Sequence, residues 1–183
     1  MKEIIEHYYP HDDCLRKTLL NHSIKVQQKA LELAESSGIR LDLELVSEGA
    51  LLHDIGIFKC HAPGIYCVGN APYITHGIIG AKLLREYGEL HGIDLEKHAA
   101  ICEKHTGAGL SVKDIVEQKL PLPERDFLPE TPEEKLICLA DKFFSKSGDG
   151  NEKTLDEIRS SMTKFAPETL ERFDALCRLF KLI

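Results

Sequence analysis

Residues 51–60 read LLHDIGIFKC, and the pair His53-Asp54 inside that apolar run decides how the rest of the chain is read. A histidine and a carboxylate side by side in a buried-looking stretch are costly unless something compensates them. Just upstream, Asp42 is a fitting N-cap for a helix carrying Leu43, Val46, Ala50 and His53 on one side, with Gly56 placed to end it.

Working outward, the same helical period recurs. Leu15, Leu19, His22, Val26, Ala30 and Leu33 are spaced 4, 3, 4, 4 and 3, an amphipathic stripe closed by Ser36-Ser37-Gly38. Residues 60–72, CHAPGIYCVGNAP, hold two prolines and two glycines and read as a surface loop. A helix follows with His76, Ile79, Gly80, Leu83 and Tyr87 on one side, and Asp94 opens another in which His98, Ile101, Cys102 and His105 share a side. Ser111 and Asp114 suggest the capping box of a short helix, after which residues 121–132 form a proline-bearing connection. Thr131-Pro132-Glu133-Glu134 is the clearest helix start, with a hydroxyl cap, a proline in the first turn and a glutamate three residues after the cap. That helix carries Ile137, Ala140, Asp141 and Phe144 until SKSGDGN breaks it at 145–151. Two more helices finish the chain, the last with Leu170, Phe173, Cys177 and Phe180 at helical spacing. No alternating strand stands out, so the expected fold class is all-α, one helical bundle spanning residues 1–183.

At 183 residues the chain is long enough to bury a core without staples. Its 23 lysines and arginines against 30 aspartates and glutamates leave a formal charge of −7 and no basic stripe. That argues against a partner that is a nucleic-acid polymer or a membrane surface, and leaves room for a small anionic substrate held by local cations. The N-terminus, MKEIIEHYYPHDD, has no apolar signal core, and no apolar run approaches the roughly 18 residues of a membrane span, so a cytoplasmic location is expected. Six scattered cysteines without a C-x-x-C pair read as reduced thiols.

Overlaying the stripes places His22, His53, His76, His105 and Asp141 on inward faces, with Asp54 beside His53. One inward histidine is ordinarily a satisfied core residue. Six such groups on five helices, two of them carboxylates, would leave buried charge unpaired. Convergence on metal satisfies all six. Imidazoles and carboxylates suit a divalent transition metal, iron first and manganese, nickel, cobalt or zinc after it. Six donors exceed one ordinary site and suit two ions sharing a carboxylate, for which Asp54 is the natural bridge and hence the catalytic centre. Lys59, Lys104 and Lys142 lie within a few residues of these donors; solvated lysines are the default, and the functional alternative is that they hold a substrate phosphate or orient a carboxylate. Gly107 would let a phosphate approach the backbone. Cys60, His61 and Cys67 match no zinc spacing and read as ordinary loop residues. His7, His11 and His91 are expected at the surface, and His98 in a core or surface role.

His22, His53-Asp54 and Asp141 in LADK together resemble the H…HD…D signature of the HD-domain superfamily of metal-dependent phosphohydrolases, and HDIG is one form of its motif. His76 in THGIIGAKLL and His105 in EKHTGAG match the subset that binds two metals. The resemblance covers roughly residues 18–146 and implies a helical bundle with a central site. There His22, His53, Asp54 and Asp141 would hold one ion, and His76 and His105, sharing Asp54, the second. A metal-bound hydroxide would attack phosphorus in a phosphoester or phosphoanhydride of a small, nucleotide-like substrate. The absence of a GYP triplet after His105 disfavours the cyclic-di-GMP phosphodiesterase branch, and the HTG stretch is similar to small bacterial HD proteins that cleave diadenosine tetraphosphate. Two alternatives stay open: a mixed-valent di-iron oxygenase on the same donors, and a non-catalytic nucleotide-binding module. The helices from about 151 onward either complete the core or serve a homodimer.

Overall fold

The computed structural model describes residues 1–148 and 150–183. Among them the helices are α1 (Lys2–Tyr8), α2 (Cys14–Ser37), α3 (Leu43–Leu52), α4 (His76–His91), α5 (Glu96–Lys104), α6 (Val112–Glu117), α7 (Pro132–Asp141), α8 (Leu155–Met162) and α9 (Pro167–Leu179). The fold is all-α apart from one hairpin of two-residue strands, β1 (His61–Ala62) and β2 (Cys67–Val68), inside the segment read as plain loop. Arms of two residues are too short for alternation to register in a sequence. No helix among the described residues is long and apolar enough to cross a membrane.

Local chemistry sets most boundaries. Asp13 and Asp42 accept backbone N–H groups at the starts of α2 and α3, and Gly38, at φ +73°, ends α2 in the left-handed region. Ser111/Asp114 and Thr131/Glu134 form reciprocal capping boxes on α6 and α7. At α5 the start moves: Leu95 holds the cap position, and the Asp94 carboxylate instead accepts the Glu96 N–H at 3.0 Å. α7 ends at Asp141, and its expected continuation to Phe144 is a tighter turn closed by Phe143 N–H to Ala140 and Phe144 N–H to Asp141. α1 had no counterpart in the sequence reading. It is held by Ile4 and Ile5 in the core and by the Tyr8 and Tyr9 hydroxyls, which donate to the Leu83 and Ile55 carbonyls.

The expected role of Gly56 as a helix terminator is corrected. α3 stops at Leu52, and His53-Asp54 sit in a tight turn closed by Ile55 N–H to Leu52 and Ile57 N–H to Asp54. A β-carbon on Gly56 would stand 2.3 Å from the His76 carbonyl oxygen and 2.5 Å from Gly80 N. Glycine is therefore required for space: it lets the first turn of α4 rest directly on the HDIG backbone. Gly77 does the same against the Cys102 carbonyl, at 2.5 Å, and seats α4 on α5.

Two apolar clusters result. One joins α2 from Val26 onward with α3, α7, α8 and α9, including Phe173 and Phe180. The other gathers α1, Leu19, Leu52, Ile55 and the packed faces of α4 and α5. His22 lies on α2 between Leu19 of one cluster and Val26 of the other, and His53 lies between Ala50 and Ile55 in the same way. The inward polar residues thus form a layer at the seam of two cores. Of the six free cysteines, Cys14 is exposed and the rest are buried.

Candidate metal centre

Three of the four inward histidines share one local device. The Nδ1 of His53, His76 and His105 lies 2.6, 2.6 and 2.8 Å from the carbonyl oxygen three residues earlier, on Ala50, Tyr73 and Cys102 respectively. A carbonyl can only accept, so each Nδ1 carries a proton and each Nε2 faces inward. His53 and His105 sit at C-terminal helix ends, where carbonyls are free of the helical ladder, and His76 opens α4, where the Tyr73 carbonyl also accepts the His76 backbone N–H. His22 is in mid-helix, where they are not, and its buried Nδ1 finds no hydrogen-bond partner.

The Nε2 atoms and two carboxylates gather into two donor groups that meet at Asp54, each with ligand atoms close enough to share one metal ion. In the first, His22 Nε2 lies 3.2 Å from His53 Nε2, 2.9 Å from Asp141 Oδ1 and 3.2 Å from Asp54 Oδ2. His53 Nε2 is 3.0 Å from the same Asp54 oxygen. In the second, His76 and His105 oppose their Nε2 atoms at 3.0 Å, with Asp54 Oδ1 at 3.3 and 3.5 Å. Asp54 therefore gives one oxygen to each group. All six residues are buried.

The charges explain why this arrangement fits a cation. Burial lowers the pKa of His76 to about 3 and depresses that of His105, so both rings are neutral. Two neutral imidazoles whose protons are committed elsewhere point lone pairs at each other across 3.0 Å, an opposition that a shared ion relieves. Neither Asp54 oxygen completes a hydrogen bond. Burial opposes ionisation of Asp54 and Asp141, yet His53 and Lys146 on the first, and Lys142 and His22 on the second, hold both carboxyls well below the usual range. Burial likewise opposes a charge on His53, but Asp54 and Asp141 outweigh it and push its pKa up to about 9.

An open cleft of about 450 Å³ reaches this centre on the Asp141 side, lined among others by Tyr73, Lys142, Phe144, Lys146 and Lys153. Of the lysines singled out from the sequence, only Lys142 is there, its Nζ 2.6 Å from Asp141 Oδ2 and 3.2 Å from the His105 carbonyl oxygen. Lys59 is exposed, stands over the Phe58 ring and lines a separate groove with Asn70 and Lys82. Lys104 ties α5 to the start of α7 through Glu130 and Glu134, at 2.9 and 3.1 Å. Gly107 serves a turn at φ +62°, and its carbonyl accepts from the Cys138 thiol. His98 pairs with Glu48 at 3.1 Å, and His7, His11, His61 and His91 are exposed. Sequence reasoning missed Lys146, whose Nζ is 2.6 Å from Asp54 Oδ2, along with Lys153 and Tyr73, which stacks on His76 at 4.7 Å between centroids. Lys146 lies in the break after α7 and Lys153 just past it, where no helical period connects them to the donors.

With this geometry in place, comparison with known proteins gives the class. The chain matches the HD domain over residues 19–145, and it belongs to the HD-domain family, whose members bind divalent metals. An uncharacterised protein of Methanocaldococcus jannaschii, MJ0778, is 40% identical over 128 residues, which cover 68% of this chain and 65% of that protein. Two proteins described as tRNA (cytidine(56)-2'-O)-methyltransferases, from Thermoplasma volcanium and Picrophilus torridus, are 33% and 34% identical over 90% of this chain, which spans only 42% and 40% of their lengths. Among solved structures, the HD domain of the Listeria monocytogenes phosphodiesterase PgpH superposes with a TM-score of 0.54 at 17% identity, covering 98% of this chain and 95% of that one, a likeness of fold.

Proposed function

We propose that the protein is a metal-dependent phosphohydrolase that cleaves a phosphoester or phosphoanhydride bond in a small nucleotide-like substrate. The observation that carries this reading is the division of Asp54 between the two donor groups, with a cationic cleft opening beside them. His22, His53, Asp54 and Asp141 would hold one ion, and His76, His105 and Asp54 a second. When bound, the metal supplies Lewis acidity toward phosphoryl oxygens and an activated water at neutral pH. The chain does the rest. The three i−3 carbonyls fix the imidazoles with Nε2 inward, so no ring reorganises when a ligand arrives. Lys142 holds the outer oxygen of Asp141 and so aims Oδ1 at His22. Lys153, with Tyr73 and Phe144 on the walls, gives the cleft a phosphate partner and flat surfaces for a base.

The test is a panel of phosphoesters and phosphoanhydrides assayed with manganese, reduced iron, cobalt and nickel. Turnover of some member, lost together with metal in His53→Ala and Asp54→Ala, is expected; no turnover under any metal would overturn the reading. Full activity with zinc would exclude the oxygenase alternative.

The methyltransferase relatives favour a second reading, in which the phosphate belongs to an RNA. Nine tenths of this chain aligns with part of each. Its acidic balance weighs on the other side. Including tRNA beside mononucleotides in the same panel separates the two.

A further inference from the structure

Lys142 and Lys146 both pair with a donor carboxylate at 2.6 Å, but on different oxygens. Lys142 takes Asp141 Oδ2, while His22 and His53 face Oδ1. Its ammonium therefore stands behind the carboxylate. Lys146 takes Asp54 Oδ2, the oxygen that His22 and His53 themselves face at 3.2 and 3.0 Å. Its side chain is 12% exposed, and its Nζ lies 6.0 Å from the centroid of the Tyr73 ring on the cleft wall. The ammonium thus reaches from the cleft into the first donor group itself.

We propose that Lys146 is a place-holding cation, one that neutralises Asp54 while the first donor group is empty and becomes a phosphate-binding group in the cleft once metal displaces it. The inference rests on the metal-dependent reading above. A divalent ion among His22, His53, Asp54 and Asp141 puts two like charges against one carboxylate oxygen in a buried site, and the singly charged partner on a flexible stem is the one that gives way. The stem is anchored after α7, so withdrawal carries the ammonium outward along the cleft lined by Tyr73, Lys142 and Lys153. There three lysines face an open volume with too few carboxylates to neutralise them once Asp54 and Asp141 are engaged, which is where a substrate phosphate fits. Metal loading and substrate binding are coupled through one side chain, and Lys146 acts as a positioning residue for the substrate.

The experiment compares wild type with Lys146→Met and Lys146→Gln, full-length, in chelator and with saturating manganese, and takes three readings: thermal melting, manganese affinity by calorimetry, and the affinity of the manganese-loaded protein for inorganic phosphate. In the variants the metal-free protein is expected to melt lower, because Asp54 loses one of its two cationic partners and keeps only His53, while the loaded protein melts as wild type does. Manganese binds about tenfold tighter, since one ion pair no longer competes, and phosphate about tenfold weaker. Equal losses of melting temperature with and without manganese would mean a structural role and overturn the proposal, as would unchanged affinities for both manganese and phosphate. Wild type that binds no manganese at all would instead overturn the metal-dependent reading itself. Lys59→Met, a change at the separate groove, is the control and should leave all three readings unmoved.

Discussion

The two donor groups share Asp54 and little else. The group built from α2, the end of α3 and α7 holds two ionised carboxylates, a histidine pushed toward the charged form, and two lysines at its edge. The group built from α4 and α5 holds two neutral histidines and only the second oxygen of Asp54. The first is anionic and already neutralised by the protein's own cations; the second is nearly neutral and electrostatically unresolved. A divalent ion should therefore enter the first by displacing charge and the second by relieving lone-pair opposition, and the two should differ in affinity, pH dependence and sensitivity to mutation.

The largest expected effect comes from breaking what the groups share. Asp54→Ala should lower metal content at both groups together and reduce turnover by about a thousandfold or more, as measured by elemental analysis and steady-state kinetics. Next is the joint that brings them together. Gly56→Ala places a β-carbon 2.3 Å from the His76 carbonyl oxygen, so α4 must move off the HDIG turn. It should cost about 3 kcal/mol in denaturant unfolding and weaken the second group more than the first.

These two residues also mark how far the sequence could be read. Five of the six clustered residues were legible because helical period separates inward from outward faces, and a histidine or carboxylate on the inward face stands out against Leu19, Val26, Ala50 or Ile137; Asp54 was legible only as the neighbour of His53. Glycine at position 56 was legible as a motif letter but not as a contact, since its reason is the carbonyl of a residue twenty positions on. α1 was missed because seven residues carry barely two turns of period. Lys146 and Lys153 were missed because they lie in or just past a break, where only the path of the chain brings them back to the centre. Lys59 and Lys104 were drawn in by proximity along the chain, which in helices says nothing about which side a long side chain takes.

Smaller effects sharpen the contrast between the groups. His76→Ala should lower affinity at the second group by about a hundredfold or more, while the first group keeps its ion, so that metal analysis falls by one ion per chain. pH should separate them as well. In the metal-free protein His53 titrates near 9, so its proton must leave before Nε2 can ligate. Affinity at the first group should then rise by up to about tenfold per pH unit and level off near pH 9, whereas the second group, with His76 and His105 already neutral, should be flat through neutral pH. The sign in stability is opposite: the raised His53 pKa stabilises the metal-free fold fully below its ordinary value of 6.5 and loses that contribution as pH rises through about 9. The smallest effect is expected from Lys59→Ala and Lys104→Ala, whose side chains lie outside the cleft; turnover should stay within about twofold of wild type.

The most direct measurement is anomalous diffraction at the manganese edge from crystals grown with saturating manganese. Two peaks are predicted, one among His22, His53, Asp54 and Asp141 and one between His76 and His105, with one Asp54 oxygen directed to each. A single peak with Asp54 on that ion alone, and His76 and His105 left facing each other, would contradict the account.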